Sequence, residues 1–219
     1  NVTGVQTCAL PIFDWHGIKF KEMNAGLCLA DLNHDGATDV WHGQISYDAF
    51  GNGVNRPAHL YMGSTDPAVQ FRDVTWESGM FIHGAWTAVR GDFDRDGDLD
   101  LVCASGTENL KYFRNDLAKE GAAITIRLRD VRSGNHRNSY GARLTVYAGG
   151  SRFHRWMPGT VNGGRMSQMT HDLHVGIGSA QRIDSVVVIW PGGSASRHTG
   201  LTPHTYVELM SDGKNTVLT

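Results

Sequence analysis

Five aspartates crowd around one glycine in the stretch DFDRDGDLDLV, residues 92–102. A related stretch, DLNHDGATDVW, begins at Asp31 and repeats the spacing of the acidic and glycine positions. Carboxylates at this density repel one another unless a hard cation accepts their oxygens. Ca2+ takes about six to eight oxygen ligands at about 2.3 to 2.6 Å. The sequence therefore predicts a calcium loop that occurs twice.

The spacing assigns a ligand to every second position of each loop. Positions 1, 3, 5 and 9 would supply side-chain oxygens and position 7 a backbone carbonyl, while glycine at position 6 permits a sharp turn. In the second loop these ligands are Asp92, Asp94, Asp96, Asp98 through its carbonyl, and Asp100. In the first loop they are Asp31, Asn33, Asp35, Ala37 through its carbonyl, and Asp39. We expect two Ca2+ sites, the second tighter because it has an additional carboxylate.

Other interpretations of the loops are weaker. An EF-hand needs a glutamate at position 12, where the two loops have His42 and Cys103, and neither loop has helical flanks. The near absence of nitrogen and sulfur donors argues against transition metals. An Asp-Gly turn with ordinary surface acids explains one loop better than two. The calcium itself could pin a hairpin or bridge to a bound ligand, and both roles stay open.

Short apolar runs flank each acidic loop, so each repeat is predicted as strand, tight loop, strand, with further strands at AHLYMG and VQFRDVT. About four short strands per repeat is the content of a propeller blade. From Ala122 onward, alternating runs separated by Gly or Pro favour an antiparallel β-sandwich of about seven strands. The predicted fold class is all-β: a partial β-propeller of about two blades in residues 13–118, then a sandwich in residues 119–219.

Composition is consistent with a globular chain that spans no membrane. Its 219 residues are 40% hydrophobic, and the longest apolar run, VVVIW, has only strand length. Residues 1–119 hold 9 Lys and Arg against 16 Asp and Glu, a net of −7, whereas residues 120–219 hold 11 against 6, a net of +5. The acidic half suits cation binding. Cys28 and Cys103 fall on different predicted strands and indicate no disulfide framework.

The first residues look foreign to the rest of the chain. VTGVQTCALPI, residues 2–12, resembles the translation of a sequencing-adapter oligonucleotide. We therefore interpret residues 1–12 as an artefact that packs against nothing, and we expect the native N-terminal sequence, including any further blades, to be missing.

The loops and the strand runs resemble two known families. GDFDRDGDLDLV and ADLNHDGATDVW resemble the calcium-bearing blades of FG-GAP or VCBS repeats, as in the integrin-type propeller. NSYGARLTVYAGG, LHVGIG and VVVIWPGG follow the order of the ASPIC/UnbV domain. The combination resembles bacterial relatives of the cartilage acidic protein family. This resemblance implies a secreted or cell-surface calcium-binding protein without known catalytic residues.

The expected function is therefore a non-catalytic binding or adhesion module whose partner is a surface glycan or a protein. An alternative is a fragment of an enzyme or biosynthesis accessory protein whose active site lies in the missing N-terminal part. No nucleophile elbow, P-loop, dinucleotide fingerprint or HExxH motif occurs. RFHRW, residues 152–156, mixes aromatic and basic groups as nucleic-acid surfaces do, but one such strand predicts no nucleic-acid partner. Arg152 and Arg155 could equally face a sulfated or uronic polysaccharide, or water.

Overall fold

The computed structural model of the protein describes residues 18, 24–45, 56–132, 139–158, 167 and 170–218. The predicted artefact, residues 1–12, lies outside these ranges. Fifteen strands and no helix occur in the described ranges, which confirms the all-β prediction. None of the described segments is a helix long and apolar enough to cross a bilayer.

Two small propeller-like sheets form the N-terminal half. The first has the order β1-β2-β3-β4, with β1 Asn24–Ala30, β2 Asp39–Gln44, β3 His59–Met62 and β4 Arg72–Asp73. The second has the order β5-β6-β7, with β5 Ala85–Gly91, β6 Asp100–Ser105 and β7 Lys111–Phe113. All neighbours in both sheets pair antiparallel. The strand, loop, strand prediction is confirmed for both repeats.

Eight further strands form two sheets in the C-terminal half. One has the order β10-β9-β12-β13 and the other β11-β8-β14-β15. Their bounds are β8 Ala123–Arg129, β9 Arg143–Ala148, β10 Ser151–Trp156, β11 Asp172–Gly176, β12 Ser185–Ile189, β13 Ala195–His198, β14 Tyr206–Met210 and β15 Asn215–Leu218. β8 and β14 pair in parallel, so this region is not the purely antiparallel arrangement that the sequence predicted.

Two apolar clusters divide the core between the halves. The N-terminal cluster joins both small sheets, with Cys28, Trp41 and Cys103 at its centre. The C-terminal cluster draws apolar side chains from β8, β9, β11, β12 and β14, including Ile126, Val146 and Val188. Successive side chains of a strand point to opposite faces of the sheet, so every second residue enters the core. In β9 the buried Leu144, Val146 and Ala148 alternate in this way with more exposed residues. One cluster shared by two sheets is compatible with the predicted sandwich.

Candidate functional site

The two acidic loops connect β1 to β2 and β5 to β6, and they adopt the same backbone conformation. His34 and Arg95, at position 4, both have a φ of 64°, while Gly36 and Gly97, at position 6, have φ values of 91° and 96°. A φ this positive is the left-handed region, which glycine reaches without steric cost. The repeat in sequence is therefore a repeat in local structure, as the spacing predicted.

In the second loop, three exposed carboxylates converge. One oxygen from each of Asp92, Asp94 and Asp96 lies within 4.8 Å of the others. Backbone amides orient them: Asp96 donates to Asp94 Oδ1 at 3.4 Å, and Gly97 donates to Asp92 Oδ2 at 3.1 Å. Desolvation, together with the neighbouring carboxylates of Asp96 and Asp94, raises the pKa of Asp92. Such a set of oxygens suits a hard cation.

The aspartate at position 9 has a structural task in both loops. Asp100 is fully buried; its Oδ2 accepts hydrogen bonds from Phe93 N at 3.1 Å and Tyr112 Oη at 3.0 Å, and its Oδ1 accepts from Asn115 N at 2.8 Å. Asp39 repeats the pattern, since it accepts from Leu32 N at 2.7 Å and Gly63 N at 2.9 Å. Each carboxylate therefore ties its loop to the chain beyond the next strand, a role that sequence reasoning missed.

The side chain at position 7 differs between the two loops. The carboxylate of Asp98 turns away from the other acids and lies 2.7 Å from Lys119 Nζ and 3.4 Å from His34 Nε2 in the first loop. The sequence predicted only the backbone carbonyl of Asp98 as a ligand. In the structure, its side chain links the second loop to His34 of the first loop. The equivalent Ala37 is buried and has no such group.

The first loop is buried against the C-terminal half. Asp31, only 2% exposed, accepts hydrogen bonds through Oδ2 from Arg155 Nη2 at 3.1 Å and Gly176 N at 3.0 Å. Its Oδ1 is buried and accepts no hydrogen bond from the part of the chain that the structure describes. Desolvation raises the pKa of Asp31 to about 6, against the opposing effect of Arg155. Desolvation likewise raises the pKa of Asp39 to about 7.

Several further hydrogen bonds hold the first loop against the C-terminal half. Asn33 Nδ2 donates to Glu120 Oε1 at 3.2 Å and to Asp35 Oδ2 at 3.3 Å. Gly178 N donates to His34 O at 3.0 Å, and Glu120 N donates to Asn33 O at 2.8 Å. A Cβ on Gly176 would lie 2.4 Å from Asp31 Oδ2, so the close approach requires glycine there. We call this set of contacts between the first loop and residues 120–178 the loop junction.

Among the described residues, no histidine belongs to a group of three or more side chains placed to share a metal ion. His174 is buried, with Nδ1 3.0 Å from Thr125 Oγ1, and its ring lies 4.9 Å from that of His34. His171 instead contacts Tyr140. Desolvation lowers the pKa of His174 well below its ordinary value, so this imidazole is neutral.

Comparison with known proteins supports the C-terminal part of the resemblance. Residues 132–216 match the family model of ASPIC and UnbV. A search of curated proteins finds no match. In the N-terminal half, the observation is structural: two propeller-like sheets, each with an acidic loop between its first two strands. The chain thus joins propeller-like sheets to a region similar to the ASPIC/UnbV domain.

Proposed function

We propose that this chain is a non-catalytic, calcium-stabilised binding module. The observation that carries the proposal is the convergence of Asp92, Asp94 and Asp96, whose oxygens lie within 4.8 Å of one another. No lysine, arginine or histidine of the described residues forms an ion pair with any of the three. Like charges held this close favour binding of a multivalent cation.

Calcium fits the donors better than other cations do. The side-chain donors of the second loop are all oxygens, and Ca2+ accepts the irregular, flexible geometry that such a loop offers. Asp92, Asp94 and Asp96 would hold the ion with their carboxylates and Asp98 with its carbonyl. Asp100 would support the site from behind, because its carboxylate accepts hydrogen bonds from Phe93 N near the start of the loop and from Asn115 N beyond β7.

The first loop is proposed as a second, weaker site. The buried Asp31 Oδ1 accepts no hydrogen bond from any described residue, which leaves an oxygen for a cation. However, Arg155 Nη2 already lies 3.1 Å from the other oxygen of this carboxylate. A guanidinium so close repels Ca2+ and neutralises part of the charge that would attract it. The affinity of the first loop for Ca2+ is thus lower than that of the second.

The setting of such a protein is proposed as extracellular or cell-surface, on the strength of the family resemblance. Calcium loops of extracellular modules work at dissociation constants of about 10⁻⁴ to 10⁻³ M, which suits an exposed loop with few ligands. In that setting the ion stabilises the fold and the surface of the module meets its partner.

A thermal-unfolding experiment tests the metal proposal. Protein treated with EGTA is melted alone, with Ca2+ and with Mg2+, alongside the variant Asp94→Asn. Ca2+ at about a hundredfold excess over Kd should stabilise the folded state by about 2.7 kcal/mol for each site. Asp94→Asn should lose the larger part of the shift. An equal shift in the variant, or none in the wild type, would remove the second loop as the main calcium site.

A further inference from the structure

The outward side of one C-terminal sheet carries arginines and aromatic rings together. The strand order β10-β9-β12-β13 places Arg152 beside Tyr147 and Trp156 beside Arg143, and Val187 beside Arg197. Arg143, Arg152, Arg197 and Trp156 are exposed, whereas the alternate residues of these strands enter the core. We call the surface formed by Arg143, Tyr147, Arg152, His154, Trp156 and Arg197 the outer face.

The exposed arginines of the outer face are not neutralised by carboxylates of the described residues. No outward position in the four strands carries a carboxylate. Within the described part of the chain, none of Arg143, Arg152 and Arg197 has an ion pair. Arg152 Cζ lies 5.8 Å from the centre of the Tyr147 ring, an arrangement that holds the guanidinium on the surface. Arg155, on the same strand, is committed to Asp31 instead.

A cleft of about 360 Å³ opens on the outer face. Its lining includes Arg152, Arg197, Tyr147 and Ser185. Ser185 is fully buried, yet its Oγ has no hydrogen-bond partner among the described residues. A buried hydroxyl without a partner is unfavourable, so a polar group of a ligand that reaches it would gain a hydrogen bond otherwise unmade. This orphan hydroxyl is an observation separate from the charge of the face.

From these features we infer that the outer face binds an anionic polysaccharide, one bearing sulfate or uronate groups. Guanidinium groups recognise sulfate and carboxylate through paired N–H donors. Trp156, 67% exposed, offers a flat apolar ring to the apolar side of a sugar. The inference rests on the proposed binding role and adds a site and a ligand class to it.

Nucleic acid fits the outer face less well. Single-stranded nucleic acid is bound by a basic groove that follows the backbone, together with aromatic rings on which successive bases stack. The outer face offers three exposed arginines and one exposed tryptophan, Trp156. Asp184 also lines the cleft, where its carboxylate can accept hydrogen bonds from sugar hydroxyls.

The test measures binding of the full chain to four probes: a heparin oligosaccharide, an oligogalacturonate, dextran, and single-stranded DNA of matched charge. At least one anionic glycan should bind at least tenfold more tightly than dextran and DNA, and the preferred glycan distinguishes sulfate from carboxylate. The double variant Arg152→Ala/Arg197→Ala should weaken that binding at least tenfold. Ser185→Ala should weaken it severalfold without lowering the melting temperature.

The matched control is Arg72→Ala/Arg114→Ala, which removes the same charge from exposed positions of the N-terminal half. It should leave binding within twofold of the wild type. Equal binding of dextran, a preference for DNA, no binding of any probe, or full binding by the outer-face variant would each overturn the inference. Each measurement is repeated in EGTA and in calcium. If glycan binds and calcium has no effect on the protein, the outer-face inference stands and the calcium proposal is wrong. If calcium affects the protein and no glycan binds, the calcium proposal stands and the outer-face inference is wrong.

Discussion

At the scale of single residues, the aspartates of the second loop divide into two chemical roles. Asp92, Asp94 and Asp96 present exposed oxygens to a common point, whereas Asp100 is buried and saturated with backbone and tyrosine donors. The first group suffers repulsion in the absence of a cation. The second residue stabilises the loop whether or not a cation is bound. The two roles make opposite predictions for mutation.

Asp96→Asn should weaken calcium binding at least tenfold while leaving the calcium-free protein as stable as the wild type or slightly more so, because a repelling charge is removed. Asp100→Asn should lower the free energy of unfolding in EGTA by about 2 kcal/mol. The reason is that an NH2 group replaces one carboxylate oxygen, so the buried donors to that oxygen lose their charged acceptor. Urea unfolding in EGTA and calorimetric calcium titration measure both effects. The division of roles fails if Asp96→Asn destabilises the calcium-free protein as much as Asp100→Asn does.

The sequence predicted that the acids of the second loop converge, as Asp92, Asp94 and Asp96 do, but not the task of Asp39 and Asp100. Alternation of acids around a glycine is a local pattern, and the closely similar φ values of the two loops at positions 4 and 6 show that it fixes a local backbone. The donors to Asp100 include Asn115, which lies in a different part of the chain. No periodicity within the loop could indicate that partner.

At the scale of elements, the connection from β6 to β7 is held by a charged cluster. Glu108 Oε1 accepts a hydrogen bond from His83 N at 2.9 Å and lies 2.9 Å from His83 Nδ1, and its other oxygen pairs with Lys111 Nζ. The hydrogen bond from Lys111, followed by that from His83 N, lowers the pKa of Glu108 to about 2. The carboxylate thereby ties β7 to the segment before β5.

This cluster predicts an acid-sensitive contribution to stability. Because the folded-state pKa of Glu108 lies below its ordinary value, the stabilisation is fully present above about pH 4.5 and is lost as the pH falls toward 2. Glu108→Gln should therefore destabilise the protein by about 1 kcal/mol at pH 7 and by less at pH 3. Chemical unfolding of both proteins at the two pH values measures this. A deficit that does not shrink in acid would contradict the assignment.

Elements were predictable where their pattern was local. The strands on either side of each loop follow from apolar runs beside an acidic turn, and β9 follows from alternation. The parallel pairing of β8 with β14 was not predictable, because these strands are separated by most of the C-terminal half. Strand sequence fixes which face is buried more firmly than which partner it takes.

At the scale of the whole molecule, the loop junction couples the two halves. Arg155 and Asp31 are far apart in sequence, yet their side chains meet at 3.1 Å, and Asp31 is nearly inaccessible to water. The sequence showed an acidic half and a basic half but could not show that this arginine, rather than Arg152, would cross to the loop. Breaking a buried pair by removing one partner costs about 3 to 5 kcal/mol.

Arg155→Gln should therefore destabilise the calcium-free protein by roughly 3 kcal/mol, because Asp31 is left as an uncompensated buried charge. Calcium should restore more stability to this variant than to the wild type, since the first loop no longer contains a competing cation. Arg152→Gln, an exposed change on the same strand, serves as the control and should alter neither quantity. Unfolding in EGTA and in calcium measures both. An unchanged calcium response in Arg155→Gln would show that the guanidinium does not compete with the ion.

Calorimetric titration of calcium into EGTA-treated protein shows whether both acidic loops bind the ion. We expect two sites of unequal affinity. Asp96→Asn should weaken the tighter one, and Asp35→Asn should weaken the looser one. Circular dichroism on the same samples confirms that each protein is folded. A folded wild-type protein that takes up no calcium would contradict the claim, as would loss of the tighter site on substitution of Asp35 rather than Asp96.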